Sequence, residues 1–334
     1  MRAPIFPCLT ALPIVLSAPA LADVPRVAVD IAPVHALVAQ VMAGVGTPDL
    51  ILPPGASPHA YALRPSEAGA LQEAELVVWV GEGLTPWLGE AIGTLAGGAA
   101  RLELMEVEGT LQLAFREGAT FEAHEHAHGD DHAHGADDHD HDHDHDHEEH
   151  DHDDHAHDDH AHGAFDPHGW LDPVNAALWL DAIAAELSRI DPDNAAAYAA
   201  NAAAGREGLA ALEAEIAGRL APLSGGFIVF HDGYHYFEAR FGIEAAGAIS
   251  LSDASDPGPA RVAEIRDLVA SQGIACVFAE PQFNRGLVDA VFGGTGVRVG
   301  VIDPIGASLT PGPDLYADLL RGMAAAFEDC LAAG

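Results

Sequence analysis

Apolar residues follow two alternating rhythms along this chain. Short runs rich in β-branched residues, bounded by turn residues, predict buried strands at 26–30, 49–52, 75–81 and 101–107. The same kind of run recurs at 227–230, 245–249, 274–279 and 297–302. Helical spacing fills the intervals, opening at Pro33, over 65–74 and from Pro86, each with proline in its first turn. A further helix closes the chain from Pro313. Such alternation predicts an α/β fold with parallel sheets. In the middle lie two long helical stretches, 174–190 and 193–220. In the second, Tyr198, Leu209, Leu212, Ile216 and Leu220 fall on one face. At 1.5 Å per residue it reaches roughly 40 Å, more than one small domain needs. Gly205 and Gly208 weaken this helix by about 1 kcal/mol each relative to alanine. The pattern predicts two four-stranded parallel-sheet α/β lobes joined by one long helix.

Two segments break the rhythm. Arg2, an apolar stretch from Cys8 to Ala18 and the small residues around Ala20-Leu21-Ala22 read as a cleaved signal peptide over 1–22. A buried N-terminal helix is the alternative. The stretch is too short to cross a bilayer, which takes roughly 20 residues. Export to the periplasm follows. Residues 122–163 hold 16 of the 21 histidines, 17 acidic residues and almost no apolar side chain. With nothing to offset the entropy of ordering, they read as a disordered insertion. The expected organisation is a first lobe over 23–121, the insertion, the end of that lobe at 164–192, a linking helix at 193–222 and a second lobe at 223–334.

Charge narrows the partners. The formal net charge is −38, and the chain outside the insertion is also acidic. Nucleic acid and charge-driven binding to anionic membranes are excluded. Cys8 leaves with the signal. In an oxidising compartment the remaining pair, Cys276 and Cys330, reads first as a disulfide, with two reduced core thiols as the alternative. Such a bridge would tie the strand at 274–279 to the closing helix and stabilise by about 2–4 kcal/mol.

Outside the insertion stand five histidines: His35, His59, His168, His231 and His235. His59 follows a strand in PGASPHAYALRPSE, and His168 precedes a helix in DPHGWLDP. His231 follows FIVF in VFHDGYHYF, and Asp303 follows a strand in VIDPIG. Parallel α/β sheets bind ligands outside the carboxyl ends of their strands. Facing lobes can thus present His59 and His168 from one side, His231 and Asp303 from the other. Three imidazoles and a carboxylate suit tetrahedral zinc, with bonds of about 2.0–2.2 Å. The absence of a thiolate disfavours softer metals. Lone histidines more often serve ordinary core or surface roles, so spacing alone leaves both readings open.

Together with ELVVWVG (75–81) and FAEPQF (278–283), these segments resemble the cluster of metal-binding proteins that serve ABC importers, and ZnuA-type periplasmic zinc-binding proteins most closely. The resemblance spans the mature chain, including the acidic histidine-rich insertion. It implies one Zn2+ held tightly between lobes by His59, His168 and His231. It further implies a monomer that delivers zinc to an ABC-type inner-membrane permease, with a periplasmic zinc chaperone as a further partner. The Glu that precedes the first histidine in some zinc members is Pro58 here. Asp303 matches a ligand of manganese relatives and of some zinc members, where others hold water. It is read as the fourth ligand, with a supporting or capping role as the alternative. Manganese relatives carry Glu in place of His231, and a third imidazole favours zinc. A cysteine pair at matching places supports the Cys276–Cys330 bridge. Glu280 is a candidate hydrogen-bond partner of a ligand imidazole. Trp170 and Tyr61 read as packing residues, and His35 and His235 as minor metal candidates.

Within the insertion, imidazole and carboxylate alternate over 139–147, a pattern of weak sites for additional zinc. That binding should decline as pH falls below about 6.5. Two other classes compete: a zinc-buffering or adhesion-type protein without transport, and a zinc hydrolase. Three histidines would leave the hydrolase a position for reactive water. HExxH is absent, and a fourth carboxylate ligand would close the site, so the chain reads as a binder and not an enzyme.

Overall fold

The computed structural model describes residues 24–116, 120–121, 165–250, 258–281, 288 and 291–331. The expected signal peptide and histidine-rich insertion lie outside the described residues.

Among the described residues, eight strands form two separate sheets, each wholly parallel. The first contains β1 (Val27–Val29), β2 (Asp49–Leu50), β3 (Leu76–Trp79) and β4 (Ala100–Glu103), in the order β2-β1-β3-β4. The second contains β5 (Phe227–His231), β6 (Gly247–Ser250), β7 (Cys276–Ala279) and β8 (Arg298–Val301), in the order β6-β5-β7-β8. Central strands β1, β3, β5 and β7 are buried along their whole length, as apolar runs in parallel sheets covered on both faces require. Around them pack α1 (Ala32–Val41), α2 (Pro65–Glu73), α3 (Pro86–Leu95), α4 (Pro173–Ile190), α5 (Ala195–Leu220), α6 (His235–Phe241), α7 (Pro259–Gln272) and α8 (Leu315–Leu331).

The apolar runs outlast the ladders. The run at 101–107 pairs only through Glu103 and then turns into a short 3-10 helix, Leu104–Glu106. The helix expected from 193 begins at Ala195, after a 3-10 turn at Pro192–Asn194.

Helix α5 spans 26 residues, about 39 Å, and belongs to both lobes. Near its start, Asn201 Nδ2 donates to the Val41 carbonyl of the first lobe at 2.9 Å. Near its end, Arg219 pairs with Glu328 on α8 at 2.7 Å. Tyr198, Leu209, Ile216 and Leu220 join Leu37 and Val78 of the first lobe to Phe278 and Phe327 of the second in one continuous buried cluster. Each such side chain stabilises by about 1.5–3 kcal/mol on burial, so separating the lobes would expose much of the core. Cys276 and Cys330 form the disulfide, fastening β7 to α8 across a Cα–Cα distance of 6.0 Å.

Beyond β4 the chain also contacts the second sheet and the helix that follows β5. The Leu113 N–H donates to the Tyr236 hydroxyl at 2.9 Å, and the Phe121 N–H to the Ala246 carbonyl at 3.0 Å. Thr120 makes an antiparallel bridge to Gly247. Strand β6 is an edge, and its unpaired backbone groups accept this extended segment.

Candidate metal centre

Each candidate histidine is set by its local sequence. His59 lies in the loop between β2 and α2, where the Trp87 indole N–H donates to the Pro58 carbonyl at 2.7 Å. Tyr61 packs against Trp87 with ring centroids 5.5 Å apart and donates its hydroxyl to Glu67. His168 sits just before the 3-10 turn Gly169–Leu171, which leads into Asp172, the N-cap of α4. Its backbone N–H and ring Nδ1 both donate to Asp166 Oδ1, at 2.9 and 2.6 Å. His231 closes β5 at the carboxyl end of its sheet, and its Nδ1 donates to the buried Glu280 carboxylate just beyond β7.

The fold brings the three imidazoles together from both lobes. One ligand nitrogen from each lies within 4.8 Å of the other two. Ring centroids are 5.5 Å apart for His59 and His168, 6.5 Å for His59 and His231, and 5.2 Å for His168 and His231. Pro58, Trp170, Pro304, Ile305 and Glu280 complete the lining of the cleft. Trp170 packs on His168 at 5.1 Å and donates its indole N–H across the lobes to the Pro304 carbonyl at 2.8 Å.

The donor set fits a cation. Because the Nδ1–H groups of His168 and His231 donate to carboxylates, the Nε2 atoms of both rings carry the free lone pairs. Those two Nε2 atoms are 3.3 Å apart. Two facing lone pairs at that separation repel unless a positive charge lies between them. Nitrogens bound to one tetrahedral zinc, at about 2.0–2.1 Å each, stand about 3.3 Å from one another. His59, the least buried of the three, completes the set.

The other candidates hold different partners. Asp303 is not in the cluster. Its Oδ1 accepts from the Ile305 and Gly306 N–H groups at 3.3 and 2.8 Å, and its Oδ2 from the Ser308 N–H at 3.3 Å. A short carboxylate after a strand readily caps the following turn. Gly306 supplies the left-handed residue of that turn, at φ +73°. His35 lies on α1, with Nε2 3.1 Å from the Pro48 carbonyl, and burial pushes its pKa down. His235 begins α6 outside the cluster. Tyr234 packs beside His231, and burial, aided by the neighbouring Glu280 carboxylate, holds its phenol far above the usual range. It therefore stays neutral. Glu280 does hydrogen-bond the His231 imidazole. Asp166 plays the equivalent part for His168, and sequence reasoning did not single it out. The one available signal is a carboxylate two residues before the histidine in DPHGWLDP.

Residues 27–330 match the family model described as zinc-uptake complex component A, periplasmic. The chain is 51% identical over 317 residues to the high-affinity zinc uptake system protein ZnuA of Paracoccus denitrificans, covering 94% of each chain. It is 50% identical over 306 residues to the protein of that name from Brucella abortus (strain 2308), covering 91% of each. In three dimensions it resembles a crystal structure of ZnuA, with a TM-score of 0.70 at 23% identity, covering 92% of this chain and 99% of the other. The two-lobed fold, the interlobe histidines and these matches agree: the chain belongs to the ZnuA family of periplasmic zinc-uptake components.

Proposed function

We propose that this protein captures a zinc ion in the periplasm at His59, His168 and His231 and delivers it to an ABC-type inner-membrane permease. One observation carries the site assignment. The two most buried imidazoles, each fixed through Nδ1 by a carboxylate, hold their Nε2 atoms at the separation tetrahedral zinc requires. Relatives at about half identity bear the name of a high-affinity zinc uptake protein, which supports zinc as the cargo. Water takes the fourth position, because the Asp303 carboxylate caps its own turn.

The protein acts as a binder and not as an enzyme. Asp166 and Glu280, the carboxylates that touch the ligand rings, accept hydrogen bonds from those rings, which suits holding them in place. Residues 1–22 are removed on export, and the mature chain works as a monomer, with a periplasmic zinc chaperone as a further partner. No described helix is long and apolar enough to cross a membrane.

Zinc titration against a competing chelator tests this reading. The mature protein should bind one tight ion, and His59→Ala, His168→Ala and His231→Ala should each weaken it about a hundredfold or more. Asp303→Asn should leave the affinity within a few-fold of the parent. A hundredfold loss in that variant would restore the carboxylate as the fourth ligand, and tight binding after loss of all three histidines would end the assignment.

A further inference from the structure

Between the two ligand-bearing lobes runs a polar clamp that the coordination chemistry does not by itself require. The segment that leaves the first lobe carries Arg116, whose side chain is only 13% exposed and lies against the second lobe. Its Nε donates to Asp232 at 3.0 Å and its Nη1 to Glu238 at 2.6 Å, and Nη2 contacts both carboxylates. The guanidinium also stacks 3.9 Å above the Phe121 ring. Asp232 is the residue directly after His231, and Glu238 lies on α6, the helix that follows.

The same helix grips the first lobe in the opposite sense. Arg240 donates to both oxygens of the buried Asp172 at 2.8 and 2.7 Å, at the cap of α4 just after the His168 turn. Between them, the Tyr236 hydroxyl donates to the Asp166 carbonyl at 2.8 Å. Asp166 is also the residue whose carboxylate holds His168 Nδ1. The Arg116 segment and Arg240 thus tie the two sides together: the Asp166 N–H donates to the Leu113 carbonyl at 2.8 Å, Arg116 holds Asp232 beside His231, and Arg240 holds Asp172, four residues after His168.

We infer that Arg116 is a positioning residue for the metal site, locking the second lobe's His231 into register with the first lobe's His168 before the ion arrives. This deepens the three-histidine reading and rests on it. Apparent affinity falls in proportion to the fraction of molecules whose ligands are in register. Arginine suits the task because its planar fork engages two carboxylates at once, which a lysine ammonium cannot match. Without the guanidinium, Asp232 and Glu238 would be left as neighbouring buried like charges beside His231.

The test uses the full mature chain, with zinc itself as the probe. Arg116→Lys keeps the charge and loses the fork. Arg116→Met combined with Glu238→Gln removes the fork while sparing the fold one unpaired buried carboxylate. Zinc affinity, zinc release rate and metal-free Tm are measured for each. The double variant should bind zinc about tenfold or more weakly at 25 °C, with faster release, and the lysine variant should lie between it and the parent. A purely structural role would lower Tm and leave affinity unchanged. Affinity within twofold of the parent in the double variant, or in Arg116→Lys should the double variant not fold, overturns the inference. A parent chain whose tight zinc survives His168→Ala would instead defeat the three-histidine reading.

Discussion

The carboxylates behind the imidazoles govern how well the rings are presented to an ion. Glu280→Gln keeps an acceptor beside His231 but removes the charge that makes Nε2 more basic. It should weaken zinc binding about tenfold or more, measured by chelator competition, with little change in the metal-free Tm. Asp30 makes a different prediction at the same scale. It is fully buried behind β1, accepts from the Ile31 and Val80 N–H groups, and burial nevertheless pushes its pKa up to about 7. A raised carboxyl pKa means that the folded state holds its proton more tightly than the unfolded chain. The stability from this group is then complete below about pH 4 and is lost as pH rises through about 7. Denaturant titrations of the metal-free protein at pH 5 and pH 8 should show a smaller decline in Asp30→Asn than in the parent. Equal declines would contradict it.

Among the elements, α5 and the disulfide separate what propensity says from what packing permits. Both Gly205 and Gly208 lie inside the long helix, and propensity alone treats them equally. A methyl at Gly205 would stand 2.7 Å from Leu180 on α4, whereas one at Gly208 meets nothing within 4 Å. Gly208→Ala should therefore stabilise by about 0.5–1 kcal/mol, and Gly205→Ala should gain less or lose. Thermal melts of the two variants decide the matter. Removing the bridge with Cys276→Ser and Cys330→Ser should cost about 2–4 kcal/mol by denaturant titration. Zinc affinity should barely move, because Cys276 begins β7 and Glu280 lies beyond the other end of that strand.

Across the whole molecule, one core threads both lobes through α5, so opening and closing must be small. The segment 122–163 carries 16 further histidines among 17 acidic residues. Deleting it should lower total zinc stoichiometry, read by metal analysis after titration, and leave one tight site with unchanged affinity. An unchanged stoichiometry would remove any role for the loop in holding zinc. The eight strands and the strut were legible because parallel strands buried on both faces are written as unbroken apolar runs, and a long helix as a persistent stripe. The strand ends were less legible, because apolar residues continue past the last ladder bond, as at Leu104 and Met105.

The order of residues by itself determined the two-lobed α/β plan and the cysteine pair, and it pointed to the three imidazoles through their motifs, since each depends on local pattern or on a motif contiguous in the chain. Only the tertiary structure decided that Asp303 serves its own turn, that Asp166 and Glu280 hold the rings of His168 and His231, and that Arg116 pairs with Asp232 and Glu238. Those outcomes depend on which hydrogen-bond donors and acceptors meet after folding. Asp166 and Asp303 both lie in DP motifs beside the cleft, yet one holds an imidazole and the other caps a loop. A carboxylate takes whichever partners come within about 3 Å, and residues 63 or more positions apart, such as His168 and His231, reach that range only when the lobes pack together.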